Sequence, residues 1–154
     1  MKATILAAED QESAALLLKM AFEASGLPYR LVIVKDGQCA VDYLKGAAPY
    51  EDRARHPLPR VVLLDLKMPR MDGFEVLAWL RESKEFSALP AVVLSCSPRE
   101  SDMERAKELG AREYLVKPLG WRELLDTVKG VAAKWLTQVE NEECRVQDGS
   151  EKHF

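Results

Sequence analysis

Cysteine is scarce. Cys39, Cys96 and Cys144 form no C-x-x-C pair, and an odd count leaves one without a partner. That excludes a disulfide scaffold and fits a reducing compartment, so a cytoplasmic location is expected. No G-x-G-x-x-G or G-x-x-x-x-G-K-[ST] follows the first apolar run, which removes a dinucleotide-binding or P-loop reading. No apolar run nears the ~20 residues that span a bilayer, and Met1–Ala8 is too short for a signal peptide and meets acids at once. No membrane partner is expected. Neither sign of charge dominates: 22 basic and 25 acidic residues are interspersed and the net charge is −3. A nucleic-acid binder would carry a basic surplus or stripe, so no nucleic-acid partner is expected. The two histidines, His56 and His153, sit in polar irregular stretches and are expected to be solvated and without a role.

What is present is a core. The chain has 154 residues and is 47% hydrophobic, enough for one domain and too short for two ordinary ones. Short Val-, Leu- and Ile-rich runs recur at Thr4–Ala8, Leu31–Val34, Val61–Leu64, Ala91–Leu94 and Glu113–Val116. They do not alternate with polar residues, which suits strands covered on both faces. Helical patterns lie between them. Gln11–Ser25 carries Leu17, Met20, Ala21 and Ala24 at helical spacing and stops at Gly26. Asp36–Lys45 is shorter. Gly73–Glu82 follows Asp72, a good N-cap, and aligns Phe74, Leu77 and Leu80. Pro98–Leu109 is polar and charged and stops at Gly110, so it is expected to be the most exposed. Trp121–Leu136 has the broadest apolar stripe, from Trp121 through Leu124, Leu125, Val128, Val131 and Ala132 to Trp135.

Five strands alternating with five helices predict an α/β fold, a doubly wound parallel sheet with helices on both faces. The domain is expected over residues 1–137. It carries a Pro- and charge-containing insertion at about 46–59 (Gly46–Pro59) and a polar, acidic C-terminal tail at 138–154.

Open parallel sheets bind ligands at the carboxyl ends of their strands. The first strand ends in Glu9 and Asp10, the third in Asp65, the fourth in Ser95 and the fifth in Lys117, followed by Pro118. The second delivers nothing comparable, only Lys35 and Asp36. Each close pair among three carboxylates costs about 4 kcal/mol at 4 Å and an effective dielectric near 20. A cation among them is the natural remedy. Oxygen donors unaccompanied by His or Cys favour Mg2+ over zinc. A metal with open positions suits phosphoryl oxygens, and Lys117 and Ser95 add a positive charge and a hydroxyl. Asp65, on the central strand, is then the candidate nucleophile for an acyl phosphate.

These residues in this order resemble the receiver domain of two-component response regulators. The resemblance rests on Glu9–Asp10, on Asp65 in DLKMPRMDG, on Ser95, and on Lys117–Pro118 in YLVKP, and it runs from about Lys2 to Trp135. It implies the flavodoxin-like strand order 2-1-3-4-5. It also implies phosphoryl transfer from a sensor histidine kinase to Asp65. Mg2+ would be held by Glu9, Asp10, Asp65 and the main-chain carbonyl of Lys67. Ser95 and Lys117 would contact the phosphoryl oxygens, and Ser95 and Tyr114 would act as switch residues. The Lys117–Pro118 bond is often cis in such domains, so Pro118 is read as structural at the site. Lys67 lies where a side chain influences attacking water, and Cys96 stands where a small Ala is frequent.

The insertion before the third strand is similar to that of single-domain regulators partnered with phytochrome-type photoreceptor kinases. No output domain is expected after Trp135. The output is therefore expected through helix four, strand five and helix five, as a homodimer, a target protein or onward phosphotransfer. The chain is then expected to be a switch rather than an enzyme. A Mg2+-dependent phosphohydrolase working through an aspartyl phosphate is the alternative. It commonly carries a second Asp two residues after the nucleophile, and here that position is Lys67. A constitutive binding module is the third reading, against which the complete acid, hydroxyl and lysine set stands.

Overall fold

The computed structural model describes residues 3–136. Five parallel strands, β1 (Ala3–Ala8), β2 (Tyr29–Val34), β3 (Val61–Leu64), β4 (Ala91–Ser95) and β5 (Glu113–Val116), pair in the order β2-β1-β3-β4-β5. The helices between and after them are α1 (Glu12–Ser25), α2 (Gly37–Lys45), α3 (Gly73–Glu82), α4 (Glu100–Glu108) and α5 (Trp121–Val131), and a π turn over Ala132–Leu136 follows α5. The doubly wound α/β fold with order 2-1-3-4-5 is therefore the one expected. Residues 138–154 and His153 lie outside the described residues.

The alternation of side chains along a strand sorts the sheet into two cores. Leu6, Ala8, Val62, Leu64 and Val93 pack against Tyr43 and Leu44 of α2 and Phe74, Val76, Leu77 and Leu80 of α3. Ile5, Ala7, Val61, Leu63, Val92 and Leu94 pack against Leu18, Ala21 and Phe22 of α1 and Val128 and Val131 of α5. The central strands β1, β3 and β4 are buried on both faces almost throughout. The edge strands β2 and β5 are only partly covered, contrary to the reading of all five as fully buried. An edge strand has one neighbour, so its apolar run looks central in sequence and is half open in space.

Two apolar stripes differ from expectation. In α1 the inward face is Leu18, Ala21 and Phe22, while Leu17 and Met20 are 49% and 45% exposed. Both sets share helical spacing, and periodicity alone does not say which faces the sheet. In the last helix Trp121 is exposed and the buried part begins at Val128. The π turn over Ala132–Leu136 brings Trp135 and Leu136 back inward. Trp135 Nε1 donates to Glu113 Oε1 at 3.0 Å.

α3 starts as the sequence indicates. The Asp72 carboxylate accepts from Glu75 N–H at 2.9 Å, and Glu75 Oε1 accepts from Asp72 N–H at 2.9 Å. This reciprocal cap satisfies two donors that a helix start leaves orphaned. Asp72→Ala is expected to lower stability by about 1 kcal/mol in urea unfolding, and an unchanged midpoint would contradict that role for the cap.

The insertion is not a solvated loop. Arg53 donates to the carbonyls of Tyr43, Leu44 and His56, which ties the insertion to the end of α2. His56 stacks edge-on against Tyr43 and Tyr50, which corrects its reading as a solvated residue: the fold of the insertion brings its ring onto two aromatic ones in edge-to-face geometry. Among the described residues no helix is long and apolar enough to cross a membrane.

Candidate functional site

The carboxyl ends of β1, β3 and β5 bring four of the expected side chains together. Glu9 follows β1 and is 6% exposed. Its backbone N–H donates to Val34 O at 2.9 Å, and Oε2 accepts from Gln11 N–H at 3.1 Å. Asp10 is exposed, and Asp65, one residue past β3, is half-buried. Carboxylate oxygens of Glu9, Asp10 and Asp65 all lie within 4.8 Å of one another. Lys117 Nζ donates to Glu9 Oε1 and, at 3.1 Å, to Asp65 Oδ2. Burial works against the ammonium, but the Glu9 hydrogen bond and the Asp65 and Glu9 charges outweigh it and raise Lys117 above its ordinary value. One ammonium against three carboxylates leaves a surplus of negative charge, all of it on hard oxygen donors. That donor set fits a divalent cation of the Mg2+ or Mn2+ kind.

Ser95 ends β4 and is 2% exposed. Its hydroxyl accepts from Ser97 N–H at 3.2 Å, and its carbonyl accepts from Lys117 N–H at 2.7 Å. Tyr114 is half-buried, and its hydroxyl donates to Ser97 O at 2.8 Å. Lys67 is exposed, with its backbone N–H facing Asp65 Oδ1 at 3.5 Å. The Lys117–Pro118 bond is trans; the one cis bond among the described residues is Ala48–Pro49.

One charged pair escaped the sequence reading. Asp36 ends the turn after β2, is 3% exposed and caps α2 by accepting from Cys39 N–H at 2.8 Å. Arg70 grips the same carboxylate with Nε and Nη2 at 2.9 and 3.1 Å. Asp36 before a helix is a cap signal, but nothing in the sequence marks a partner 34 positions away. Burial disfavours the Asp36 charge, yet Arg70 and the Cys39 amide outweigh it and hold the carboxyl below its ordinary value of 3.8. A group with a lowered folded pKa stabilises the fold above its unfolded value and loses that contribution as pH falls through the folded one. Below pH 3.8 the protein is therefore expected to shed this part of its stability. Asp36→Asn should be less stable at neutrality and show a shallower acid limb in urea unfolding. Parallel acid limbs would contradict the assignment.

The model of the response regulator receiver domain matches residues 5–129. The chain belongs to the response regulator receiver family. The receiver resembles FilR2 of Methanothrix harundinacea, a probable methanogenesis regulatory protein: the two are 39% identical over 132 residues, covering 86% of this chain and 83% of FilR2. It resembles response regulator Rcp1 of Synechocystis, 33% identical over 135 residues, 88% of this chain and 90% of Rcp1. The structure of the Mn2+-bound form of Rcp1 matches with a TM-score of 0.77, covering 87% of this chain and 94% of that one. The phosphorylated cyanobacterial phytochrome response regulator RcpA matches with a TM-score of 0.80 at 33% identity, covering 90% of this chain and 96% of RcpA. The receiver is thus related to phytochrome response regulators, and the metal in the Rcp1 structure accords with the acidic cluster described above.

Proposed function

We propose that this receiver accepts a phosphoryl group on Asp65 from a sensor histidine kinase and relays it as a change of protein contacts. The observation that carries this reading is Lys117 Nζ held between Glu9 and Asp65, with Asp10 within reach, at the carboxyl end of the central strands. The Asp65 carboxylate oxygen attacks phosphorus, the bond from phosphorus to the donor breaks, and the donor nitrogen or oxygen leaves with the electron pair. Lys117 stands beside Asp65 to offset charge on the transferring group. Ser95, at the end of β4, supplies a hydroxyl to the same oxygens. Glu9, Asp10, Asp65 and the Lys67 carbonyl would hold Mg2+, which when bound offsets phosphoryl charge and orients the donor.

The added group carries about −1.5 to −2 charges. Carrying the protein from mostly inactive to mostly active takes about 5.5 kcal/mol of differential stabilisation. Ser95 and Tyr114 meet at the Ser97 turn, so a shift of Ser95 toward the phosphoryl group is felt by Tyr114 and by the α4, β5 and α5 face. Val116, Leu119 and Trp121 are exposed beside Lys117 and support that face as the contact with a second copy or a target. The likeness to RcpA supports a phytochrome-type kinase as donor. The phosphohydrolase reading has no comparable support, because Lys67 holds the position of the general acid.

The test is intact mass after incubation of the full chain with an acyl phosphate donor. One base-labile phosphate that requires Mg2+ is expected. No adduct at saturating donor and Mg2+ would overturn the proposal.

A further inference from the structure

The loop after Asp65 turns sharply at Arg70, whose φ is +64°, and Met71 N–H bonds Pro69 O across it at 2.7 Å. A three-residue turn with positive φ at a residue bearing a Cβ is strained, and it persists only where its surroundings over-determine it. Here the side chain at the apex does so. The Arg70 guanidinium forks onto Asp36, and Nη2 also lies 3.2 Å from Cys39 Sγ. The neighbouring residue is held too: Gly37 N–H donates to Met71 O at 3.1 Å. A Cβ on Gly37 would stand 2.1 Å from that oxygen, so only glycine permits the approach. The start of α2 therefore grips both residues at the top of the loop. At its base, Gly73 N–H bonds Leu66 O at 3.0 Å. The short stretch between these anchors contains Lys67, whose amide faces Asp65.

The geometry points to Arg70 as a positioning residue: through Asp36 it holds the turn that sets the Lys67 carbonyl and the Asp65 carboxylate for a divalent cation. The inference rests on the proposed function and goes beyond it, because Arg70 acts on the three carboxylates of the cluster only through the loop. A bidentate fork defines orientation in a way a lysine does not. Groups that orient metal ligands from behind typically change affinity about 10- to 100-fold when removed.

The experiment is calorimetric titration of the full chain with Mg2+, for the wild type and for Arg70→Gly, Arg70→Lys and Asp36→Asn. Glycine accepts the positive φ without strain, so Arg70→Gly removes the guanidinium and not the turn. Asparagine keeps an N-cap for α2 and loses the charge. Arg70→Gly and Asp36→Asn are each expected to weaken Mg2+ binding about tenfold, the double variant no further than either, with Arg70→Lys between. Phosphoryl uptake should fall at limiting Mg2+ and recover at saturating Mg2+. Wild-type affinity in both Arg70→Gly and Asp36→Asn, whatever happens to thermal stability, overturns the inference while leaving the proposed function standing. A wild type that neither binds Mg2+ nor takes up phosphate overturns both.

Discussion

Asp65→Asn is expected to take up no phosphoryl group from an acyl phosphate, at any Mg2+ concentration. The amide matches the carboxylate in shape and lacks its nucleophilic charge, so the loss is of chemistry rather than of fold. Two effects on stability oppose each other. The variant reduces the 3.1 Å ion pair with Lys117 to a hydrogen bond onto a neutral amide and also loses the repulsion between Asp65 and the Glu9 and Asp10 carboxylates. The net change should stay within about 1 kcal/mol, the usual range of partly solvated pairs. Intact mass reads the first outcome and urea unfolding the second. An adduct of the same mass on the variant would move the acceptor elsewhere and sink the assignment.

Lys117→Met is expected to cost the metal-free protein about 2–4 kcal/mol. Breaking a buried ion pair by removing one partner costs about 3–5 kcal/mol, and access of water at the exposed Asp10 reduces that. The cause is Glu9, nearly fully buried, which would lose the ammonium that faces it. Added Mg2+ should return much of the loss, since a bound divalent cation would take over the missing charge. The sign against pH is the reverse of the Asp36 case. Lys117 is raised in the fold, so its contribution is complete below 10.5 and is lost as pH rises through the raised value. The wild type should show this alkaline limb and Lys117→Met should lack it. Equal metal-free urea midpoints at neutral pH would overturn the role given to Lys117.

The strand ends were legible because each buried run terminates where the sheet meets solvent. An acid, hydroxyl or lysine after four or five apolar residues reports its own position, as Asp65 does after Val61–Leu64. Strand order came only with the resemblance to receiver domains that these residues carry. What was not legible depends on contacts between distant residues. Leu17 or Leu18 could face the sheet at equal helical spacing, and the packing of α1 on α5 decided for Leu18. The His56 stack needs the insertion to fold back on α2. The Asp36–Arg70 pair joins two loops that share no local signal. Sequence periodicity carries the direction of burial only within one element, and these are relations between elements.

α4 shows what an uneven core does. It buries a single side chain, Ala106, against four apolar ones in α3. Its remaining ties are Arg105 over the Phe74 ring at 4.1 Å, Arg81 to Glu108 O at 2.6 Å, and Asp102 to Ser97 Oγ at 2.6 Å. A methyl group, one cation–π contact and two hydrogen bonds sum to about 3–4 kcal/mol. Among the described helices α4 buries the fewest side chains, so it is the one whose displacement costs the fold least. On the proposed function, an event at the Ser97 turn therefore acts on the most loosely tied helix of the sheet.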